Sequence, residues 1–192
     1  MSSVPVPFVL HADRVVVRDF WADDEEAFVQ WAAHDEMYRW MKWRLNSREE
    51  ALAMFTRLLF HPSRFASPRR HWSLAVLNEE TEFIGTTGFD WRHDGTGEFG
   101  WYLAPSWWNR GYATEVTGLL LRFGFAVLGL SVITATCDPD NAASRRVLEK
   151  HGLEPIGEET IRTWTGPRPR LRMAIDRESW DTRNNGKAPA SR

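Results

Sequence analysis

The sequence predicts an α/β (α+β) domain built on one mixed, mostly antiparallel sheet. Three strand-like segments, 72–77, 82–91 and 97–103, follow one another with short polar turns between them. Such a succession predicts an antiparallel meander. A loop, a helix-like segment and a further strand at 132–136 come next. A strand, a helix and a second strand in this order form a parallel crossover, so the sheet is predicted to be mixed.

The segment before the meander predicts one strand and two helices. The β-branched run at 14–18 reads as the first strand. Acidic residues at 23–26 open the first helix at the positive end of its dipole. Ser47 with Glu50 three residues later predicts a capping box for the second helix, and Pro62 follows its end.

The segment after the meander predicts two helices and two last strands. Apolar residues recur at helical spacing over 116–127 and predict a helix that is buried on one side. Asn141 is a good N-cap and Gly152 a good C-terminal residue for the next helix. Strands are then predicted near 155–164 and 170–175.

Composition limits the class of protein. The 192 residues suffice for one domain, which we place at 10–180, with a flexible N-terminus at 1–9 and a disordered tail at 181–192. A net charge of −2 argues against sequence-blind binding to nucleic acid. No apolar run approaches the roughly 20 residues that span a bilayer, and no signal peptide is recognisable, so no membrane partner is expected. A single cysteine fits a reducing, cytoplasmic setting, and the six histidines show no metal-binding spacing.

The stretch from Leu103 to Glu115 predicts an anion site. It reads as the end of a strand, a loop of backbone amides and the first turn of a helix. The free N–H groups and the dipole of a helix start attract negative charge. Gly111 removes a Cβ where a phosphate would press against the backbone. The loop therefore predicts a cofactor that carries a pyrophosphate.

Two motifs carry a resemblance to a known family. Residues 108–113, Trp-Asn-Arg-Gly-Tyr-Ala, resemble the Gln/Arg-x-x-Gly-x-Gly/Ala loop of the GNAT acyl-CoA N-acetyltransferases. Residues 141–153 resemble that family's Asn-x-x-Ser helix, which ends in Lys-x-Gly-Phe. Trp108, Asn109 and Leu153 depart from the family pattern, although Trp108 is typical of the RimJ/RimL-like branch. The chain is similar to that branch, which includes ribosomal-protein alanine acetyltransferases, over residues 10–180.

The resemblance implies a fold and a cofactor. It implies a sheet of six to seven strands, splayed after the fourth, with helices on both faces and the pantetheine of acetyl-CoA in the opening. Arg110 and Arg146 are open to a second interpretation, as a solvated surface arginine and as a salt-bridge partner on the helix surface. The cofactor contacts implied by the motifs are Leu103, Asn109, Arg110, Gly111, Tyr112, Ala113, Thr114, Asn141 and Arg146.

The resemblance also implies direct attack of a neutral amine on the thioester. Glu98 is the candidate general base, and the alternative is a carboxylate bonded on the surface of the sheet. Ser144 is the candidate proton donor to the thiolate, and the alternative is a helix serine bonded locally. Tyr102 and Tyr112 are alternative acids. Cys137 is interpreted as a small apolar filler.

The acceptor is left open between a protein N-terminal amine and a small amine. An α-amine has a pKa of about 8 and a lysine amine of about 10.4, so the α-amine needs less help from a base. Tyr38, Trp40, Trp43 and Arg168 are the candidate acceptor contacts, and this mixture of aromatic and cationic residues favours an acidic or carboxylate-bearing acceptor with an apolar body. A sensor or scaffold that binds acyl-CoA without turnover is the alternative function, and a homodimer is expected only by analogy.

Overall fold

A computed structural model describes residues 7–184, so residues 1–6 of the predicted flexible N-terminus and residues 185–192 of the predicted tail lie outside it. One eight-stranded sheet crosses the described chain in the order β1-β2-β3-β4-β5-β6-β8-β7. All neighbouring strands are antiparallel except β5 and β6, which are parallel. The strands are Val9–His11, Val16–Asp19, His71–Leu77, Phe83–Trp91, Thr96–Leu103, Val132–Cys137, Glu154–Thr163 and Gly166–Asp176.

Helices cover both faces of the sheet, as predicted. The α-helices are α1 Glu25–Ala32, α2 Arg48–Leu59, α3 Tyr112–Arg122, α4 Ala142–Lys150 and α5 Arg177–Asn184. Phe28 of α1 and Phe55 of α2 pack with Ala75 in the core on one face. Leu120 of α3 and Leu148 of α4 pack in the core on the other face. Each face therefore buries the apolar stripe of its own helices.

The two ends of the described chain are more ordered than predicted. Val9–His11 forms the edge strand β1, which makes eight strands instead of six to seven. The ring of Phe8 lies 4.9 Å from that of Phe123 and anchors this short strand. At the other end α5 includes residues 181–184 of the predicted tail, and Trp180 stacks on Phe125 at 5.2 Å. Backbone pairing with β2 and the partly buried ring of Phe8 hold the first segment, and the partly buried ring of Trp180 holds the second. The first segment is too short to show a sequence period.

Side chains cap two helices at the predicted residues. Ser47 Oγ accepts a hydrogen bond from the Glu50 amide at 3.2 Å. The reciprocal bond of the predicted capping box is shifted by one residue, because the Glu50 carboxylate accepts from the Asn46 amide at 2.7 Å. Asn141 Oδ1 accepts from the Ser144 amide at 3.1 Å and starts α4.

The sheet splays between β5 and β6, the strands predicted as the fourth and fifth. Their pairing runs from Thr96 with Val132 to Phe99 with Ala135. Beyond that pair β5 continues to Leu103 and β6 to Cys137. The opening thus faces the end of β5 from which the predicted anion loop departs.

Candidate active site

A cleft of about 1060 Å³ passes through the splay and reaches both faces of the sheet. Its walls come from β3 to β6, from the loop before α3, from the start of α4 and from the segment between α1 and α2. Ten of the eleven predicted cofactor and catalytic residues line it: Glu98, Leu103, Asn109, Gly111, Tyr112, Ala113, Thr114, Asn141, Ser144 and Arg146. The topology therefore brings two motifs together that lie 30 residues apart in the sequence.

Two left-handed residues shape the anion loop. Asn109 has φ +59° and Gly111, which caps α3, has φ +89°. Asparagine is one of the few residues besides glycine that adopts this conformation routinely, which accounts for an asparagine at position 109. Alternation of left- and right-handed residues turns successive N–H groups toward one side and forms an anion-binding concavity.

Arg14 holds the anion loop in place, a role that was not predicted from the sequence. Its Nε donates to Glu115 Oε1 at 2.7 Å, and its backbone amide donates to Glu115 Oε2 at 3.0 Å. Its Nη2 donates to the carbonyl of Arg110 at 3.2 Å. The guanidinium also lies 4.9 Å from the ring centroid of Tyr112, whose hydroxyl donates to Glu79 at 3.0 Å. Tyr112 is thereby fixed as a packing residue of the loop.

The strand edge next to the opening is also defined. The Ala104 amide donates to the Ile84 carbonyl of β4 at 2.9 Å. Because backbone groups alternate along a strand, those of Leu103 point the other way, toward the opening. The indole Nε1 of Trp108 donates to the Leu103 carbonyl at 2.7 Å. The loop residue that departs from the family pattern therefore closes the loop onto the strand edge.

The two predicted arginine contacts differ in their surroundings. The guanidinium of Arg110 lies 5.0 Å from the ring centroid of Trp107 and is not part of the cleft wall. Arg146 lines the cleft on α4, whereas its neighbour Arg145 forms an ion pair with Glu149 at 3.1 Å. Among the ion pairs of residues 7–184, none includes Arg146. Its charge is therefore available to a ligand of the cleft.

Glu98 lies on the face of the sheet that α1 and α2 cover. It is paired with Asp90 of β4 and with Thr134 of β6 in the sheet register. Its side chain is 31% exposed and forms an ion pair with Arg92. The carboxylate is thus accessible to water one residue before the last pair of β5 with β6, and its ion pair with Arg92 matches the alternative interpretation of a carboxylate bonded on the sheet surface.

Three polar groups near the opening differ in their suitability for proton transfer. Ser144 is half-buried on the first turn of α4 and lines the cleft. Burial raises the pKa of the Tyr102 hydroxyl, so this group stays protonated at neutral pH. Burial also raises the pKa of the Cys137 thiol, which disfavours a thiolate nucleophile. Cys137 packs in the apolar core, as predicted for a filler.

Two of the predicted acceptor residues line the cleft, and another is buried in the core. Trp40 and Trp43 line the cleft, and the Trp43 ring lies 6.1 Å from that of Tyr102. Tyr38 is 1% exposed, and its hydroxyl donates to the Ala32 carbonyl at 2.7 Å. Tyr38 therefore supports the wall from the core and does not face the cleft.

An ion-pair network on the buried Asp138 holds two of the cations that were expected to attract an acidic acceptor. Asp138 Oδ2 lies 3.0 Å from Arg168 and 3.0 Å from Arg170. Arg170 also donates to the Trp40 carbonyl at 2.8 Å, which joins β8 to the segment before α2. Arg168 does not line the cleft. The single carboxylate offsets one of these two positive charges, and Lys42 lines the cleft as well, so the acidic acceptor stays a prediction.

Neither a metal centre nor a membrane span is found within residues 7–184. No group of three or more His, Cys, Asp or Glu residues in this range is placed to hold a metal ion. No helix in the same range is long and apolar enough to cross a bilayer.

Comparison with known proteins identifies the family. The family model described as "Acetyltransferase (GNAT) domain" matches residues 14–154, so the chain belongs to the GNAT acetyltransferases. The uncharacterized N-acetyltransferase YoaA of Bacillus subtilis is 31% identical over 154 residues, covering 78% of this chain and 84% of that protein. YnaD of the same organism, another uncharacterized N-acetyltransferase, is 27% identical over 75% and 81% of the two chains. The resemblance seen in the sequence is confirmed: the chain is an N-acetyltransferase of the GNAT family.

Solved structures agree with the fold. RimJ of Mycobacterium smegmatis, in complex with CoA-disulfide, superposes with a TM-score of 0.80 at 21% identity, covering 95% of this chain and 94% of that chain. A ribosomal-protein-S5-alanine acetyltransferase from Vibrio fischeri superposes with a TM-score of 0.74 at 16% identity, covering 90% and 98%. The splayed sheet and its helices thus match GNAT structures, including that of RimJ.

Proposed function

We propose that this chain transfers an acetyl group from acetyl-CoA to a primary amine by direct attack. The observation that carries the proposal is the position of the splay between β5 and β6, beside an anion loop with two left-handed residues. A strand edge that offers backbone groups and a loop that offers amides suit the two halves of CoA, its pantetheine arm and its pyrophosphate.

Different parts of the cleft suit the pyrophosphate, the pantetheine arm and the nucleotide end of CoA. The amides of residues 109–114 hold the pyrophosphate at the start of α3, where the dipole adds to the attraction. Leu103 offers its amide to the pantetheine arm, and the Asn141 NH₂ group offers a further donor because only its oxygen is used in the cap. Arg146 adds charge at the nucleotide end, and Arg110 assists from the outer side of the loop.

The chain's own groups then move the protons. Glu98 accepts the proton of the attacking amine, directly or through water, on the face covered by α1 and α2. Ser144 donates a hydrogen bond or a proton to the departing CoA thiolate, and Tyr102 is the alternative donor. An α-amine with a pKa of about 8 is roughly one tenth neutral at pH 7, far more than a lysine amine with a pKa of about 10.4, so one carboxylate suffices as base.

The acceptor is a protein N-terminal amine or a small amine. The fold likeness to RimJ and to the alanine acetyltransferase favours the former, whereas the aromatic walls around Trp40 and Trp43 favour the latter. The homodimer expected by analogy stays a prediction.

The experiment pairs two variants with two readouts. Glu98→Gln and Ser144→Ala keep the size of each side chain close to the original, and the Ser144 amide keeps its bond to Asn141. Thiol release from acetyl-CoA should fall at least about tenfold in each variant, while CoA affinity by calorimetry stays unchanged. Glu149→Gln on the outer side of α4 serves as the control and should keep full turnover. Tight CoA binding without turnover on any amine would instead identify a sensor.

A further inference from the structure

One branch of the cleft is not explained by the cofactor. It crosses the face that α1 and α2 cover, from β5 over β4 to β3. Gly100, Gly88 and Ser73 form one row across these three strands and all line the cleft. Gly100 is the first residue of β5 beyond its last pair with β6, so this row starts where the splay begins.

The two glycines leave a channel above the sheet. A Cβ placed on Gly100 would meet no atom within 4 Å, and one on Gly88 would meet only the Trp72 carbonyl, at 3.5 Å. Neither glycine has a positive φ, so backbone conformation does not demand them here. The consequence of both glycines is open space on the cleft side.

The channel ends at a chain of hydrogen bonds. His71 Nδ1 lies 2.5 Å from Asp90 Oδ1, and His71 Nε2 lies 2.9 Å from Ser73 Oγ. His71 occupies one carboxylate oxygen of Asp90, and the Asp90 side chain is still 56% exposed. All three residues line the cleft. The second oxygen, Oδ2, is therefore an oriented hydrogen-bond acceptor that a ligand can reach.

The walls and the length of the channel define what it can hold. Met54 and Leu58 of α2 line the apolar side, opposite the aromatic pair of Trp43 and Tyr102. Asp90 lies on β4, one strand (about 4.8 Å) across and two residues (about 7 Å) along from Gly100, so their Cα atoms lie about 8 Å apart. An unbranched chain of roughly this length fits between the splay and Asp90.

We propose that this channel binds the non-reacting part of the acceptor. The reacting nitrogen lies over Gly100 beside Glu98, and a second hydrogen-bond donor of the same molecule lies against Asp90 Oδ2. The acceptor class is an unbranched amine with a hydroxyl or ammonium group about 8 Å from the reacting nitrogen. His71 and Ser73 act as positioning residues for Asp90. This assignment rests on the proposed acetyl transfer.

A series of six-carbon amines tests the assignment. The probes are 1,6-diaminohexane, 6-aminohexan-1-ol, hexylamine and 6-aminohexanoate, each as acceptor with acetyl-CoA. The first two should exceed hexylamine in kcat/KM by about tenfold, since one hydrogen bond to a carboxylate is gained. The aminohexanoate should be the poorest acceptor because its carboxylate would face Asp90. Equal kcat/KM for all four amines would overturn the assignment.

Two substitutions separate the channel from the cofactor site. Asp90→Asn should remove the preference for the diamine, and Gly100→Ala should raise the KM of the acceptors by about tenfold. The KM of acetyl-CoA should stay unchanged in both. Glu26→Gln, on the outer side of α1, is the matched carboxylate control and should keep the preference. A preference that survives Asp90→Asn contradicts the assignment.

A binding measurement keeps this assignment distinct from the proposed function. Calorimetry of 1,6-diaminohexane with the CoA-saturated protein, original and Asp90→Asn, reports on the channel without turnover. Binding that is lost with Asp90→Asn supports the channel even if the chemistry fails, and binding that is absent or unaffected contradicts it. Turnover of peptides alone, with no dependence on Asp90, overturns the channel and leaves acetyl transfer intact.

Discussion

Arg14 holds both ends of the turn that carries Gly111, because it pairs with Glu115 and donates to the carbonyl of Arg110. Arg14 stands just before β2, and Glu115 lies in the first turn of α3, so the contact joins segments 101 residues apart. A Cβ on Gly111 would approach Arg14 Nη2 to 3.1 Å. The anion loop is therefore held by a side chain from the segment just before β2.

Loss of this guanidinium should weaken cofactor binding. Arg14→Ala removes the donors that orient the loop, and we expect the Kd of CoA to rise by about fivefold to tenfold. Arg14→Lys keeps the charge but cannot reach Glu115 and Arg110 together. Its Kd for CoA should therefore lie between those of the original protein and of Arg14→Ala. Calorimetry with CoA measures the effect. A change in the KM of the acceptor without a change in CoA affinity would disprove this role.

The left-handed conformation of Asn109 predicts a pair of opposite results. Asn109→Gly should keep both stability and CoA affinity, because glycine adopts φ +59° without strain. Asn109→Val should cost about 1–2 kcal/mol or distort the loop, since a β-branched residue clashes in that conformation. Thermal unfolding and CoA titration measure both. Equal behaviour of the two variants would show that the loop does not require this conformation.

The buried Asp138 network predicts a large loss of stability. Asp138→Asn leaves two arginines without their carboxylate, and the side chain of Arg170 is only 6% exposed. Breaking a buried pair in this way costs about 3 kcal/mol or more. Asp140→Asn, an exposed neighbour, is the control and should change stability little. Denaturant unfolding measures the free energy of unfolding of both variants. Equal midpoints for the two would contradict the structural role of Asp138.

The buried thiol predicts a pH dependence. Burial raises the pKa of Cys137, so the folded protein binds its proton more tightly than the unfolded chain. The resulting stabilisation is complete below the ordinary thiol pKa of about 8.5 and is lost as the pH rises toward the folded value. Native protein should react slowly with a thiol reagent at pH 8.5, and Cys137→Ala should keep its turnover. Fast labelling, or turnover that disappears with the thiol, would argue for a covalent route.

Local signals could be predicted from the sequence. The prediction of α4 needed only Asn141 as N-cap and Gly152 after its end, and the anion loop needed only Gly111 between a strand and a helix. Such features depend on neighbours within a few residues. The edge strand at Val9 was missed because three residues show no period and its anchor, Phe123, lies far along the chain.

The parts of the site that escaped prediction are made by tertiary pairing. Arg14 is recognisable only once Glu115 is beside it, and Asp138 only once β8 brings Arg170 within 3.0 Å. The contact of His71 with Asp90 depends on the register of β3 and β4. Two of the cations behind the expectation of an acidic acceptor, Arg168 and Arg170, share Asp138 in space, which the sequence could not show, and the expectation itself stays a prediction.

The most direct test of the central claim measures CoA binding and thiol release together. Calorimetry with CoA is combined with thiol release from acetyl-CoA on a panel of peptide N-termini, free amino acids, polyamines, aminoglycosides and six-carbon amines. We predict that the protein binds CoA and that Arg14→Ala weakens this binding. We also predict turnover on at least one class of amine, with a lower rate in Glu98→Gln. A protein that binds no CoA and acetylates no amine would contradict it.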